Sequence, residues 1–174
     1  RLAHSRQSPY DDRVRRTNDG REAASAVSNH SQKSYLNMEQ FMRLAIDFEA
    51  DSAAFYRSMQ RHGPDDDVRR LLESLERQER EHERILRDYE VDKNDPVVLQ
   101  FAPELSLSMP TVSDQPDFSE LLRVAIAREE KSARIYRLTA EMTLGTFREL
   151  LEGLAAFEEE HESRLRRLQQ ARKQ

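Results

Sequence analysis

The chain lacks cysteine and tryptophan altogether, and its 174 residues include only 4 glycines and 6 prolines. Without cysteine there is no disulfide, no thiolate metal site and no iron–sulfur cluster, and cysteine usage says nothing of redox compartment. Any metal must be held by oxygen and nitrogen donors. No apolar run approaches the roughly 20 residues that span a bilayer, and no secretory apolar region stands near the N-terminus. A soluble, cytoplasmic protein without a membrane partner is expected. A net charge of -5 argues against nucleic acid as the partner. Charged residues make up 35% of the chain. With so few helix breakers and so much Leu, Ala, Glu and Arg, the composition predicts long amphipathic helices in one domain with a real core.

Residues 1–37 differ from the rest. Arg1, Arg6, Arg13, Arg15, Arg16, Arg21 and Lys33 outnumber the acidic residues there, and large apolar side chains are scarce. Such a segment buries too little surface to offset its ordering entropy and reads as a flexible N-terminal arm. The alternative is a basic tail that docks on an acidic partner.

Residues 38–174 read as a four-helix bundle. A first helix is expected from about Met38 to His62, with a capping box at Asn37 and Gln40 and a stop at Gly63-Pro64. Its inward stripe is Met38, Met42, Ala45, Glu49, Ser52, Tyr56 and Met59, widened by Phe41, Phe48 and Phe55. Asp65, Asp66 and Asp67 suit the start of a second helix, with the stripe Val68, Leu72, Leu75, Glu79, His82, Leu86 and Tyr89. Four prolines and a scatter of apolar residues mark about 90–117 as a long crossover that climbs the bundle. The third helix, about Phe118 to Glu141, carries Leu122, Ala125, Glu129, Ser132, Tyr136 and Thr139. Gly145 marks a turn, and Thr146 with Glu149 makes another capping box. The fourth helix shows Phe147, Leu151, Leu154, Glu158, His161, Leu165 and Leu168, then a polar end at 169–174 expected to fray.

The stripes repeat. Ala45, Ile46, Glu49, Ser52, Ala53 and Tyr56 recur as Ala125, Ile126, Glu129, Ser132, Ala133 and Tyr136, an offset of 80. Glu79-x-Glu81-His82-Glu83 recurs as Glu158-x-Glu160-His161-Glu162, an offset of 79. Two copies of one helical hairpin explain this. A single Glu-x-x-His is an ordinary surface spacing on a charged helix. Here, however, each pair and each lone Glu interrupts an otherwise apolar stripe at its middle, with Glu49 and Glu79 each about 12 residues from the first hairpin turn and Glu129 and Glu158 about equally far from Gly145. Glu49, Glu79, His82, Glu129, Glu158 and His161 therefore fall at one level.

Four carboxylates in a core repel one another and lose hydration. They must be protonated, paired with Arg, or neutralised by cations, and the inward stripes supply no Arg or Lys. Two divalent cations would balance them, and the oxygen and nitrogen donors suit iron or manganese, with zinc as a contaminant. Tyr56 and Tyr136 are read either as core packing or as hydrogen-bond partners of a ligand carboxylate. Ser52 and Ser132 leave room at the site. Glu81, Glu130 and Glu160 lie off the stripes and read as surface charge, and His4, His30 and His62 as solvated.

On Glu49 with Tyr56, Glu79-x-x-His82, Glu129 with Tyr136, and Glu158-x-x-His161, residues 38–170 resemble the ferritin-like superfamily and, within it, the rubrerythrin-type diiron domain. The resemblance implies two iron ions, with Glu79 and Glu158 bridging and Glu49, Glu129, His82 and His161 terminal. It also implies reaction with hydrogen peroxide or oxygen, and a homodimer. Full rubrerythrins carry a cysteine-ligated domain as electron donor; its absence here implies an external donor, as in short rubrerythrin-like proteins. Ser132 stands where full rubrerythrins have an extra Glu, so the ligand set is more symmetric, similar to a bacterioferritin centre. The expected function is a diiron oxidoreductase of peroxidase or ferroxidase type. The alternatives are an iron-handling protein that passes on Fe(III), and a bundle whose metal only stabilises the fold.

Overall fold

The structure, a computed structural model, describes residues 34–90, 98–101 and 107–172. In order these form β1 (Ser34–Asn37), α1 (Met38–Met59) with a short 3-10 turn at Gln60–His62, α2 (Asp66–Asp88), β2 (Val98–Phe101), α3 (Phe118–Glu141) and α4 (Gly145–Ala171). The fold is all-α in substance: four helices, with one two-stranded ribbon beside them.

Helix starts follow from the side chains that satisfy free amides. Asn37 Oδ1 accepts from the Gln40 amide at 2.8 Å while Gln40 Oε1 accepts from the Asn37 amide at 2.9 Å, the reciprocal box expected there. Asp65 caps α2 through the Val68 amide, and Asp117 caps α3 through the Glu120 amide. The box expected at Thr146 and Glu149 does not form. The helix begins two residues earlier, with Leu144 at the cap position without a side-chain bond and Gly145 at a φ of 62°. Thr146 is already helical, and its hydroxyl lies 3.1 Å from Tyr89. Glycine suits that left-handed backbone, which a Cβ would strain. Arg148 completes the turn by donating to the Ala140 and Glu141 carbonyls at the end of α3.

Two further expectations are corrected. Ser34–Asn37, read as the end of a flexible arm, pairs antiparallel with Val98–Phe101 of the crossover, Leu36 opposite Leu99. Leu99 is fully buried, so an apolar cross-strand pair fixes the ribbon against the helices. The rest of the arm, residues 1–33, lies outside the described residues, as do 91–97 and 102–106 of the crossover. The polar end of α4 does not fray before Ala171. Arg172 lies over the Phe118 ring and reaches Asp65 at 3.3 Å.

Each short connection makes an antiparallel pair, α1 with α2 and α3 with α4. Arg57 and Gln60 meet Glu76 across the first, and Arg137 meets Glu159 across the second. The apolar stripes close into two clusters. One holds Phe41, Met42, Leu86, Leu99, Ile135, Phe147 and Leu151, and the other Met59, Val68, Leu72, Leu75, Leu121, Leu122 and Leu165. Burying each such side chain stabilises by roughly 1.5–3 kcal/mol. Surface ion pairs such as Arg84 with Glu81 and Asp88 add little, being solvated. The described end of the crossover lies on this core: Leu107 and Met109 pack on the first cluster and Val112 on the second. Among the described residues no helix is long and apolar enough to cross a membrane.

Candidate metal centre

Between the two apolar clusters lies a charged belt. Glu49, Glu79, Glu129, Glu158, His82 and His161 are each at most 3% exposed. All six come from mid-helix positions, where the backbone has no free hydrogen-bonding groups to offer them. Glu79 with His82, and Glu158 with His161, sit one turn apart on α2 and α4, so each pair aims at the same space. Glu49 comes from α1 and Glu129 from α3.

Their ligand atoms form two groups, each within a span of 4.8 Å: Glu49, Glu79, His82 and Glu158, and then Glu79, Glu129, Glu158 and His161. Glu79 and Glu158 belong to both. His82 Nδ1 lies 3.2 Å from Glu158, 3.5 Å from Glu49 and 3.5 Å from Glu79. His161 Nδ1 lies 2.8 Å from Glu79 and 3.4 Å from Glu129. The two imidazoles stack at 5.5 Å with an interplanar angle of 15°.

These approaches are close without being aligned as hydrogen bonds. Both oxygens of Glu79, Glu129 Oε2, Glu158 Oε1, Nδ1 of both histidines and Nε2 of His161 are buried with no hydrogen-bond partner. In a settled core such atoms are nearly always satisfied. Lone pairs converging on one dry space, from side chains held on four helices, can hold a metal ion. Buried Glu and His side chains of this kind suit a divalent transition metal.

The protein's own electrostatics show the strain of the arrangement. Burial pushes the Glu49 carboxyl up to about 8, its contact with His82 opposing and the charge of Glu79 adding to the shift. Burial likewise raises Glu158, reinforced by repulsion from Glu79, Glu49 and Glu129. Burial also disfavours the charge of Glu79, but the close polar contacts with His161 and His82 outweigh it and hold that carboxyl down at about 2. Burial disfavours charge on both imidazoles too. Even so, contacts with Glu49 and Glu79 lift His82 to about 10, and contacts with Glu129 and Glu79 lift His161 to about 9. Without a cation, the belt thus carries protons where ligands need lone pairs.

Tyr56 and Tyr136, for which the sequence left two roles open, both bond to belt carboxylates. Each does so across the bundle: Tyr56 donates to Glu129 and Tyr136 donates to Glu49. Burial, with the neighbouring carboxylates, raises both phenols well above their ordinary range, so they remain donors. Ser52 and Ser132 are buried as expected, while Glu81, Glu130 and Glu160 are exposed.

The stripes hold no Arg or Lys, yet one Arg outside them is buried. Arg128 is only 6% exposed. It does not neutralise the belt. It donates to the Pro110 carbonyl at 3.2 Å and to Ser52 Oγ at 3.4 Å, and its guanidinium lies 5.2 Å from the Phe55 ring centre. The signal was present in the repeat, because position 128 is Phe48 displaced by 80. A second residue outside the stripes, Phe157, packs its ring on His82 with centroids 5.1 Å apart.

No known family model matches the chain, and neither a characterised protein nor a solved structure does. Fold and site define a four-helix protein with a buried Glu/His cluster that can bind metal.

Proposed function

We propose that the belt is a dinuclear metal centre, that the metal is iron, and that the protein is a diiron oxidoreductase acting on hydrogen peroxide or oxygen. The reading is that of a ferritin-like bundle of rubrerythrin type, and it makes Glu79 and Glu158 the bridging ligands. The observation that carries it is the membership of Glu79 and Glu158 in both ligand groups, each group completed by one further Glu and one His. Charge supports it, since two divalent cations balance four carboxylates with both imidazoles neutral.

When bound, a pair of ferrous ions supplies the two electrons that, with two protons, reduce one peroxide to two waters. The chain's own residues do the rest. Tyr56 and Tyr136 orient Glu129 and Glu49 by donating to one oxygen of each, leaving the other oxygen for metal. The apolar clusters on both sides exclude bulk water and strengthen every charge interaction within. Ser52 and Ser132, small buried side chains, leave room beside the lone glutamates. An external donor would restore the reduced state.

Anaerobic loading with Fe(II) and then mixing with hydrogen peroxide tests the reading. Peroxide should be consumed as near-ultraviolet ferric absorption grows. A loaded protein that leaves peroxide untouched contradicts the oxidoreductase assignment, and oxidation of more than two irons per chain without reductant would move it to iron handling.

A further inference from the structure

We infer that the side chain of Phe157 is the gate through which divalent metal ions enter and leave the centre, on the His82 side of the seam between α2 and α4. The inference rests on the dimetal reading above. It comes from a difference between two sets of residues 79 positions apart: Ser74, Gln78 and Ile85 on α2, against Gly153, Phe157 and Arg164 on α4. The polar set gathers on the His161 side. There Arg164 reaches from α4 to α2, donating to Gln78 Oε1 at 2.7 Å and to Ser74 Oγ at 3.3 Å. That crossing is pinned, and His161 is fully buried.

On the other side the equivalents are apolar or missing. Gly153 replaces Ser74, and a Cβ there would meet nothing within 4 Å. Phe157 replaces Gln78 and is 44% exposed, yet its ring covers His82, which is 3% exposed. A helical side chain leans toward the turn before it, so the Phe157 ring can swing over the open space at Gly153. That motion breaks a ring contact and no hydrogen bond, whereas opening the opposite crossing breaks two. The seam between α1 and α3 is barred by Tyr56 on Glu129, Tyr136 on Glu49, and Arg128 beneath the Pro110 carbonyl. Of these crossings, the thinnest cover over the ligands is one aromatic ring.

The test is the rate of Co(II) uptake by the full chain, followed by its absorption, and the rate of removal by EDTA. Phe157→Ala should speed both by about tenfold, the scale of one lost aromatic contact, while stoichiometry and affinity stay near those of the parent. Gln78→Ala should leave both rates within about twofold. Should Phe157→Ala fail to fold by circular dichroism, Phe157→Leu keeps an apolar cover and should show a smaller acceleration of both rates. Unchanged rates in the folded Phe157 variant overturn the gate, as does equal acceleration by Gln78→Ala. A parent protein that takes up no Co(II) overturns the metal centre and the gate with it. Two Co(II) bound with unchanged rates overturns the gate alone.

Discussion

The belt and the two apolar clusters are built on the same helical stripes, yet opposite forces act on them. Leu72, Leu75, Ile135 and Leu151 are wholly buried, and leaving water stabilises each of them. One turn from Leu75 and two from Leu151, Glu79 and Glu158 are buried almost as deeply and lose hydration by it. The clusters are self-sufficient; the belt holds buried oxygens and nitrogens that no side chain satisfies. Arg128, the one buried guanidinium among the described residues, bonds instead to Ser52 and the Pro110 carbonyl. A core that interrupts itself in this way has accepted a local cost for a site.

The largest expected effect is that of the metal itself. With a divalent ion at about a thousand times its Kd, the protein should gain about 4 kcal/mol, seen as a rise in Tm that a chelator reverses. Its pH dependence has a definite sign. Glu49 at about 8, His82 at about 10 and His161 at about 9 all stand above their ordinary values of 4.5, 6.5 and 6.5. What these protons contribute to the apoprotein is complete below the ordinary value and is lost as pH rises through the raised one. Chelated protein should therefore melt lower from pH 7 to 10. Metal binding displaces the same protons, so affinity should climb over pH 6 to 8, with proton release visible in calorimetry run in two buffers.

A substitution in each region separates them next. Leu72→Ala should cost about 3 kcal/mol in chelated and loaded protein alike and leave metal stoichiometry unchanged. Glu79→Gln should cost the apoprotein about 3 kcal/mol, because it leaves two imidazoles without their shared carboxylate, and it should lose metal as well. Glu158→Gln is the sharper case. Burial and three carboxylates already favour the uncharged form of Glu158, so the apoprotein should change by less than about 1 kcal/mol while metal binding falls. If Glu158→Gln and Glu79→Gln destabilise equally, the division of charge within the belt is wrong. The smallest effect is expected from Tyr136→Phe. Removing one donor from Glu49 should cost about 1 kcal/mol in thermal melts and weaken metal binding without abolishing it.

Much of this was legible in the residues because helices have a fixed period. Alternating steps of three and four placed the six ligand candidates on inward faces, and equal distances from two turns brought them to one level. Asn37 with Gln40 announced the start of α1 by local chemistry alone. What stayed hidden depended on long-range partners. Ser34–Asn37 became a strand only because Val98–Phe101 returned beside it, and nothing local in either segment announces that pairing. Position 128 lies outside the inward stripe of α3, and Arg is normally solvated. Its burial follows from the Pro110 carbonyl and the Phe55 face, both supplied by distant parts of the chain. The crossed pairing of each tyrosine with the opposite lone glutamate was likewise a fact of packing, not of spacing.

The central claim, that the belt binds two metal ions, is tested most directly by anaerobic titration of chelated, folded protein with Fe(II), with metal counted after gel filtration. Two ions per chain in the parent, and fewer in Glu79→Ala, is the predicted result. No retained metal in the parent, or two ions still held at full occupancy by Glu79→Ala, would contradict it.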